Sequence, residues 1–154
     1  MNKNLSQKLI ELYELGEKEG IDFLNRRLNK AKGSTIRCPS GFTFIIICIK
    51  LREKEEYIVL AHEMGHYFMD CTTRFSVPIS KAIDEARADK WKAKYLISRE
   101  KYLEVMRSPF VFNDWEAAQE LGVDIESVWC IHEIFKAQGL PISQAELGYV
   151  MREP

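Results

Sequence analysis

The segment His62-Glu63-Met64-Gly65-His66 constrains the fold of this 154-residue chain more than any other feature. Two histidines four positions apart lie on the same face when the backbone between them is an α-helix, and Glu63 then lies next to that face. Both imidazoles can direct a nitrogen at one metal ion, which is the geometry of a zinc peptidase helix. The segment therefore predicts a helix that carries a metal site.

We predict that this helix runs from about residue 53 to residue 69. The acidic residues of its first turn, Glu53, Glu55 and Glu56, interact favourably with the positive end of a helix dipole. Gly65 costs about 1 kcal/mol relative to alanine inside a helix, but its small size lets another backbone approach closely.

The third metal ligand is predicted on the next helix, over residues 80–97, with Ser80 as its N-cap. Glu85 and Asp89 are four residues apart on one face of that helix. Glu85 could bind the metal while Asp89 accepts the Nδ1 proton of a ligand histidine and fixes its tautomer. The other candidates for the third ligand are Asp84, Asp70 and His132.

Such a site has a definite chemistry. Bound zinc lowers the pKa of its water to about 7 and polarises a scissile carbonyl. Glu63 can then accept the proton of the water and pass it to the leaving amine. The group that stabilises the developing negative charge stays open between Tyr67, Tyr102 and His132.

The remaining elements are predicted from periodicity and turn residues. Leu5, Leu9, Leu12 and Tyr13 indicate a first helix that Gly16 ends. A short second helix is expected over 21–28, followed by a hairpin with strands at 35–37 and 42–49. Two further helices are expected at Asp114–Leu121 and Ile125–Ala137.

Composition favours a soluble globular protein, with 46% apolar and 29% charged residues. The longest apolar run, 42–49, is too short to span a membrane, which takes about 20 residues. The first residues lack the pattern of a secretion signal. The four cysteines are scattered, which argues against a disulfide framework or a thiolate zinc site. We therefore expect a cytoplasmic protein with reduced cysteines, and read Cys71, close after His66, as structural rather than redox-sensing.

The residues at 62–68 and 85–97 together resemble the ImmA/IrrE family of metallopeptidases. That family has the patterns H-E-[LM]-G-H and E-x-x-A-[DN]-x-[FW], and the resemblance covers roughly residues 5–100. It differs at Ser98, where members commonly have proline, so we expect the third helix to continue past it.

The resemblance implies a function. Members cut helix-turn-helix repressors, often encoded beside them, and so derepress a mobile element or a stress regulon. By position, it implies that His62, His66 and Glu85 bind Zn²⁺, that Glu63 is the catalytic base and that Asp89 supports a ligand histidine.

The last third of the chain is acidic. From Tyr102 onward it has three Lys/Arg and nine Asp/Glu. Ala118, Gly122 and Val128 have the spacing of a helix-turn-helix, but a DNA-reading element should be basic. We therefore expect a helical lobe that packs on the core or docks a protein, and no direct binding of nucleic acid or membrane.

These expectations define an α+β chain. Residues 1–100 are predicted to form a mostly helical, zincin-like metallopeptidase core with a small β-hairpin sheet. Residues 101–154 are predicted to form a C-terminal helical lobe of helix-turn-helix type. The expected function is zinc-dependent cleavage of a repressor. The alternatives are a zinc peptidase with another protein substrate and a non-catalytic module that binds the repressor.

Overall fold

The computed structural model describes residues 3–70 and 78–140. Over these residues the chain has an α+β fold, with six helices and a mixed sheet of three strands. The elements are α1 (Leu5–Lys18), β1 (Ile21–Arg26), β2 (Gly33–Arg37), β3 (Thr43–Cys48), α2 (Glu53–Phe68), α3 (Pro78–Leu96), α4 (Arg99–Met106), α5 (Asp114–Leu121) and α6 (Ile125–Ala137). None of the described helices is long and apolar enough to cross a membrane.

The chain divides into two compact units, Met1–Lys92 and Ala93–Pro154. The division falls inside α3, earlier than the predicted boundary after residue 100. The assignment of the first unit to a zincin-like metallopeptidase core stays a prediction.

The sheet of the first unit has the strand order β1-β3-β2, with β3 parallel to β1 and antiparallel to β2. The predicted hairpin is thus confirmed. Side chains alternate between the two faces of a strand. On β3 the residues Thr43, Ile45 and Ile47 are buried, while Phe44 and Ile46 between them are partly exposed. The buried face lies against α2, since Thr35 of β2, on the same face, bonds to Glu63.

Two predictions near the N-terminus were wrong. Residues 21–26 form strand β1 rather than a helix, because they pair with β3 over their whole length. Gly16 does not end α1, which continues to Lys18. An added Cβ at Gly16 would lie 2.2 Å from Cζ of Phe23, so this glycine serves the packing of α1 on β1. The chain turns at Gly20, which has a φ of 81°.

Two predictions about α3 were also wrong. The helix begins at Pro78 rather than at an N-cap Ser80. Proline suits the first turn of a helix because the N–H that it lacks would have no acceptor within the helix there. The helix ends at Leu96 instead of continuing past Ser98. The Ser98 side chain accepts a hydrogen bond from the Lys101 N–H at 3.2 Å and caps a new helix, α4.

The second unit is helical where it is described. The predicted helices at 114–121 and 125–137 are confirmed, and Gly122 ends the first with a φ of 70°. Ala118 and Val128 are buried, and the helix-turn-helix type of this unit stays a prediction. Its apolar core includes Tyr102, Met106, Leu121, Ile131 and Phe135.

Candidate metal centre

Helix α2 presents His62, Glu63 and His66 from one side. The helix forms because its first turn is acidic and its other flank, which includes Tyr57, Leu60, Ala61 and Met64, is buried. The His66 side chain is 8% exposed and that of His62 is 21% exposed. The two rings meet edge to face, and their Nε2 atoms are 3.1 Å apart.

Helix α3 brings the carboxylates to this pair. At the crossing, Gly65 of α2 lies directly against Ala88 of α3, where an added Cβ would be 2.6 Å from the Ala88 carbonyl oxygen. The expectation that Gly65 admits a neighbouring backbone is confirmed. Because Ala88 lies between Glu85 and Asp89 in the sequence, this close approach puts both carboxylates within reach of the histidines.

Glu85 faces both histidines. Its Oε2 lies 3.0 Å from His62 Nε2, and its Oε1 lies 3.2 Å from His66 Nε2. His62, His66 and Glu85 thus form a group whose ligand atoms all lie within 4.8 Å of one another. A tetrahedral zinc ion with bonds of about 2.0–2.1 Å separates its ligand atoms by about 3.3 Å, so the spacing suits zinc.

Asp89 determines which nitrogen of His62 is available. The Nδ1–H of His62 donates to Asp89 Oδ1 at 2.9 Å, which leaves a lone pair on Nε2 in the neutral ring. That lone pair faces the Glu85 carboxylate, which is also an acceptor. A cation between them satisfies both, which is how the donor set fits a metal. His66 lacks such support among the described residues, since its buried Nδ1 has no hydrogen-bond partner there.

The pKa shifts of His62 and Asp89 agree with this arrangement. Burial lowers the pKa of His62, but the hydrogen bond to Asp89 and the charges of Glu63, Asp89 and Glu85 outweigh it, so the net shift is upward. Burial raises the pKa of Asp89, but His62 and Lys92 outweigh it and hold that pKa below its usual value. The site therefore favours positive charge at its centre.

Glu63 is buried beside the candidate ligands, and a residue of the sheet holds its side chain in place. The Thr35 hydroxyl donates to its Oε2 at 2.6 Å and lies 2.9 Å from its backbone carbonyl oxygen. Gly33 packs directly against the Glu63 side chain. An added Cβ at Gly33 would be 3.1 Å from Glu63 Oε1 and 2.8 Å from Val59 Cγ1. Strand β2 thus covers Glu63 and fixes its carboxylate.

A cavity of about 230 Å³ opens next to this carboxylate. It is lined by Lys32, Gly33, Ile58, Val59, His62, Glu63 and Lys92. Lys92 is 7% exposed, and its Nζ lies 3.4 Å from Asp89 Oδ1, the same oxygen that accepts from His62. Asp89 is therefore held between a histidine and a lysine.

The other predicted candidates have different partners. Asp70 pairs with Arg37, and the Tyr67 hydroxyl lies 3.3 Å from Glu19, to which it donates. Tyr102 and His132 bond to each other inside the second unit. Neither Asp84 nor Asp70 belongs to the group of possible ligands. Cys71 lies outside the described residues.

Sequence reasoning missed three residues of the site, Gly33, Thr35 and Lys92. A glycine next to a predicted strand indicates close approach of another group, which could have identified Gly33. Lys92 lies three and seven positions after Asp89 and Glu85, on the same helix face. No local signal identifies Thr35, because its contact depends on how β2 packs on α2.

No protein-family model matches this chain, and no curated protein is similar enough to it to show a relationship.

Proposed function

We propose that this chain is a zinc-dependent endopeptidase that cleaves a helix-turn-helix repressor. One observation carries the enzymatic part of the proposal. Two histidine nitrogens and a carboxylate converge at 3.0–3.2 Å from one another, directly beside a buried glutamate and a cavity. A purely structural metal site would have no need of either a positioned base or the cavity.

Each residue has a role in this proposal. Zinc, when held by His62, His66 and Glu85, supplies an acidified water and a Lewis acid. Glu63 accepts a proton and returns it to the leaving amine. Thr35 fixes the orientation of the Glu63 carboxylate through its hydrogen bond, and Asp89 keeps His62 in the tautomer that leaves Nε2 available.

Strand β2 offers a way to hold an extended peptide. It is an edge strand, and Cys48 N–H donates to the Lys32 carbonyl while Cys38 N–H donates to the Phe42 carbonyl. In an antiparallel pair such bonds alternate along the strand. The backbone groups of Gly33, Thr35 and Arg37 therefore face away from β3. A peptide that adds to this edge would pass the cavity at Gly33.

The repressor as substrate rests on the resemblance to ImmA/IrrE peptidases and on charge. DNA-binding proteins are basic, and the last third of this chain is acidic, which favours their encounter and disfavours direct contact with nucleic acid. A cytoplasmic location is part of the proposal, because the repressor acts there.

The test is to incubate the zinc-loaded protein with the repressor encoded beside it and to look for a new fragment. We expect cleavage that a chelator stops and that added zinc restores. Glu63→Gln should bind zinc but not cleave, while Glu17→Gln, at an exposed position of α1, should behave as the wild type.

Binding of the repressor without any fragment, in the zinc-loaded protein, would contradict the peptidase and support the non-catalytic regulatory module. Cleavage by Glu63→Gln at the wild-type rate would remove Glu63 as the base.

A further inference from the structure

The second unit exposes large aromatic side chains over a short stretch. Phe110, Phe112 and Trp115 are 82%, 64% and 71% exposed. The other exposed phenylalanine or tryptophan of the described residues, Phe42, lies in the first unit. Scattered single apolar residues are normal on a protein surface, but a cluster indicates an interaction site.

This stretch is held in place. Val111, between the two phenylalanines, is 2% exposed and anchors the segment in the core. The Phe112 N–H donates to Glu116 Oε2 at 2.7 Å, and the Glu116 N–H donates to Asn113 Oδ1 at 3.0 Å. The aromatic rings are thus presented by a capped helix start, so little ordering is needed when a partner binds.

The surroundings are acidic. Residues 108–135 contain no lysine or arginine but six acidic residues, which are Asp114, Glu116, Glu120, Asp124, Glu126 and Glu133. Among the described residues no cation forms an ion pair with Glu116 or Glu120. Glu116 and Glu120 are four residues apart on α5 and repel each other. Glu120 also lies near the helix C-terminus, where a negative charge is unfavourable, so folding does not account for it.

We infer that Phe110, Phe112, Trp115, Glu116 and Glu120 form a docking surface, the acidic–aromatic surface, for a basic polypeptide segment. Apolar side chains of the partner pack on the rings, and its arginines or lysines pair with Glu116 and Glu120. Trp115 offers a face on which an arginine can stack. Nucleic acid and anionic membranes carry the wrong charge for this surface.

This surface goes beyond the proposed function, because it would bind a basic partner whether or not the metal centre is catalytic. If the peptidase proposal is correct, the surface is a second place at which the repressor contacts this chain. The two claims fail separately, since His62→Ala and Glu63→Gln should leave docking unchanged.

The test measures binding of the full chain to a fluorescent amphipathic peptide of leucine and arginine, with a leucine–glutamate peptide as its control. We expect the arginine peptide alone to bind. Trp115→Ser should weaken binding about tenfold or more, as for a central aromatic contact. Glu120→Lys should weaken it severalfold at about 0.1 M salt and much less at about 0.5 M salt. Phe42→Ser and Glu17→Lys, on exposed positions of the first unit, should change nothing.

Circular dichroism shows whether each variant is folded, and Phe110→Ser replaces Trp115→Ser if the latter unfolds. A shift of the Trp115 indole ¹⁵N–¹H resonance on peptide addition reports the same contact in the unaltered chain. The inference is overturned if the arginine peptide does not bind, or if it binds with no shift at Trp115. It is also overturned if Trp115→Ser instead abolishes self-association or binding to phosphatidylcholine vesicles.

Discussion

Both units of this protein place a histidine against an aspartate, but the second nitrogen of each ring meets a different group. In the first unit His62 donates to Asp89, and its Nε2 faces the Glu85 carboxylate, another acceptor. In the second unit His132 Nε2 lies 3.4 Å from Asp114 Oδ1, and its Nδ1 accepts from the Tyr102 hydroxyl. His62 has a carboxylate acceptor at each ring nitrogen, whereas His132 has a donor at one nitrogen and an acceptor at the other.

The two histidine sites also differ in how far their side chains are buried. The His132 and Asp114 side chains are 3% and 5% exposed, and the Trp129 N–H donates to the second oxygen of Asp114 at 3.0 Å. The Glu85 side chain is 43% exposed, and a cavity adjoins His62. The acceptors around His62 suit a cation, whereas His132 belongs to a buried network of matched donors and acceptors. Matching of donors and acceptors, more than residue type, distinguishes a ligand from a structural histidine.

Zinc binding should separate the two histidines most clearly. Loss of a residue that only supports a metal ligand weakens metal binding by about 10–100-fold. We expect His62→Ala to weaken zinc binding by more than this, because it removes a ligand itself. His132→Ala should leave zinc affinity unchanged but lower the free energy of unfolding by about 2–4 kcal/mol, because it leaves Tyr102 and Asp114 without their partner. Competition with a chromophoric chelator and urea unfolding measure the two effects. Equal loss of zinc affinity in both variants would refute the distinction.

A smaller effect is expected at Asp89. Asp89→Asn keeps the size of the side chain but weakens its hold on the His62 Nδ1–H, so zinc affinity should fall about 10–100-fold. Asp22→Asn, at an exposed position of β1, is the matched control. The same chelator competition measures both. An unchanged affinity for Asp89→Asn would show that Asp89 does not support His62.

The crossing of α2 and α3 gives a third test. Gly65→Ala puts a methyl group against the Ala88 backbone, so it should push Glu85 away and lower zinc affinity severalfold, with a stability loss of about 1–3 kcal/mol. Gly16→Ala crowds mainly the Phe23 ring, at 2.2 Å, and the Met64 sulfur that it also approaches, at 3.2 Å, belongs to a flexible side chain on the buried flank of α2. Stability should therefore change and zinc affinity should not. Loss of zinc affinity in both variants would mean that general destabilisation is the cause.

The smallest effect concerns pH. Burial lowers the pKa of His132, and Asp114 and Glu133 only partly oppose this. Below about pH 6.5 the unfolded chain therefore binds a proton at this histidine that the folded chain does not. The contribution of neutral His132 to the free energy of unfolding is therefore complete above that pH, and it is lost as the pH falls through the pKa that His132 has in the folded chain. Urea unfolding of the apo protein between about pH 7.5 and pH 5 should show this decline, and His132→Gln should reduce it. An identical slope in the variant would exclude His132 as its source.

Local sequence was enough to predict α2 and the two helices α5 and α6. The acidic first turn and the histidine spacing predicted α2, and the turn at Gly122 separated α5 from α6 as expected. The spacing of Glu85 and Asp89 on one helix face also anticipated their contacts with the histidines. These features depend on residues close together in the chain.

Features that depend on distant residues were missed. Ile21, Phe23, Leu24 and Leu28 fit both a helical and a strand period, and pairing with β3 decides in favour of a strand. The contact of Thr35 with Glu63 likewise requires the hairpin to pack on α2. The end of α3 was misjudged because the absence of proline was read as continuation, although Ser98 is itself a capping residue.

X-ray absorption at the zinc edge of the stoichiometrically loaded protein identifies the atoms that hold the metal. We predict two imidazole nitrogens and carboxylate or water oxygen at about 2.0–2.2 Å from the zinc, with no sulfur. The same spectrum from His66→Ala should lose one imidazole. A sulfur shell at about 2.3 Å, or a full spectrum of the wild-type kind from His66→Ala, would contradict a metal centre built from His62, His66 and Glu85.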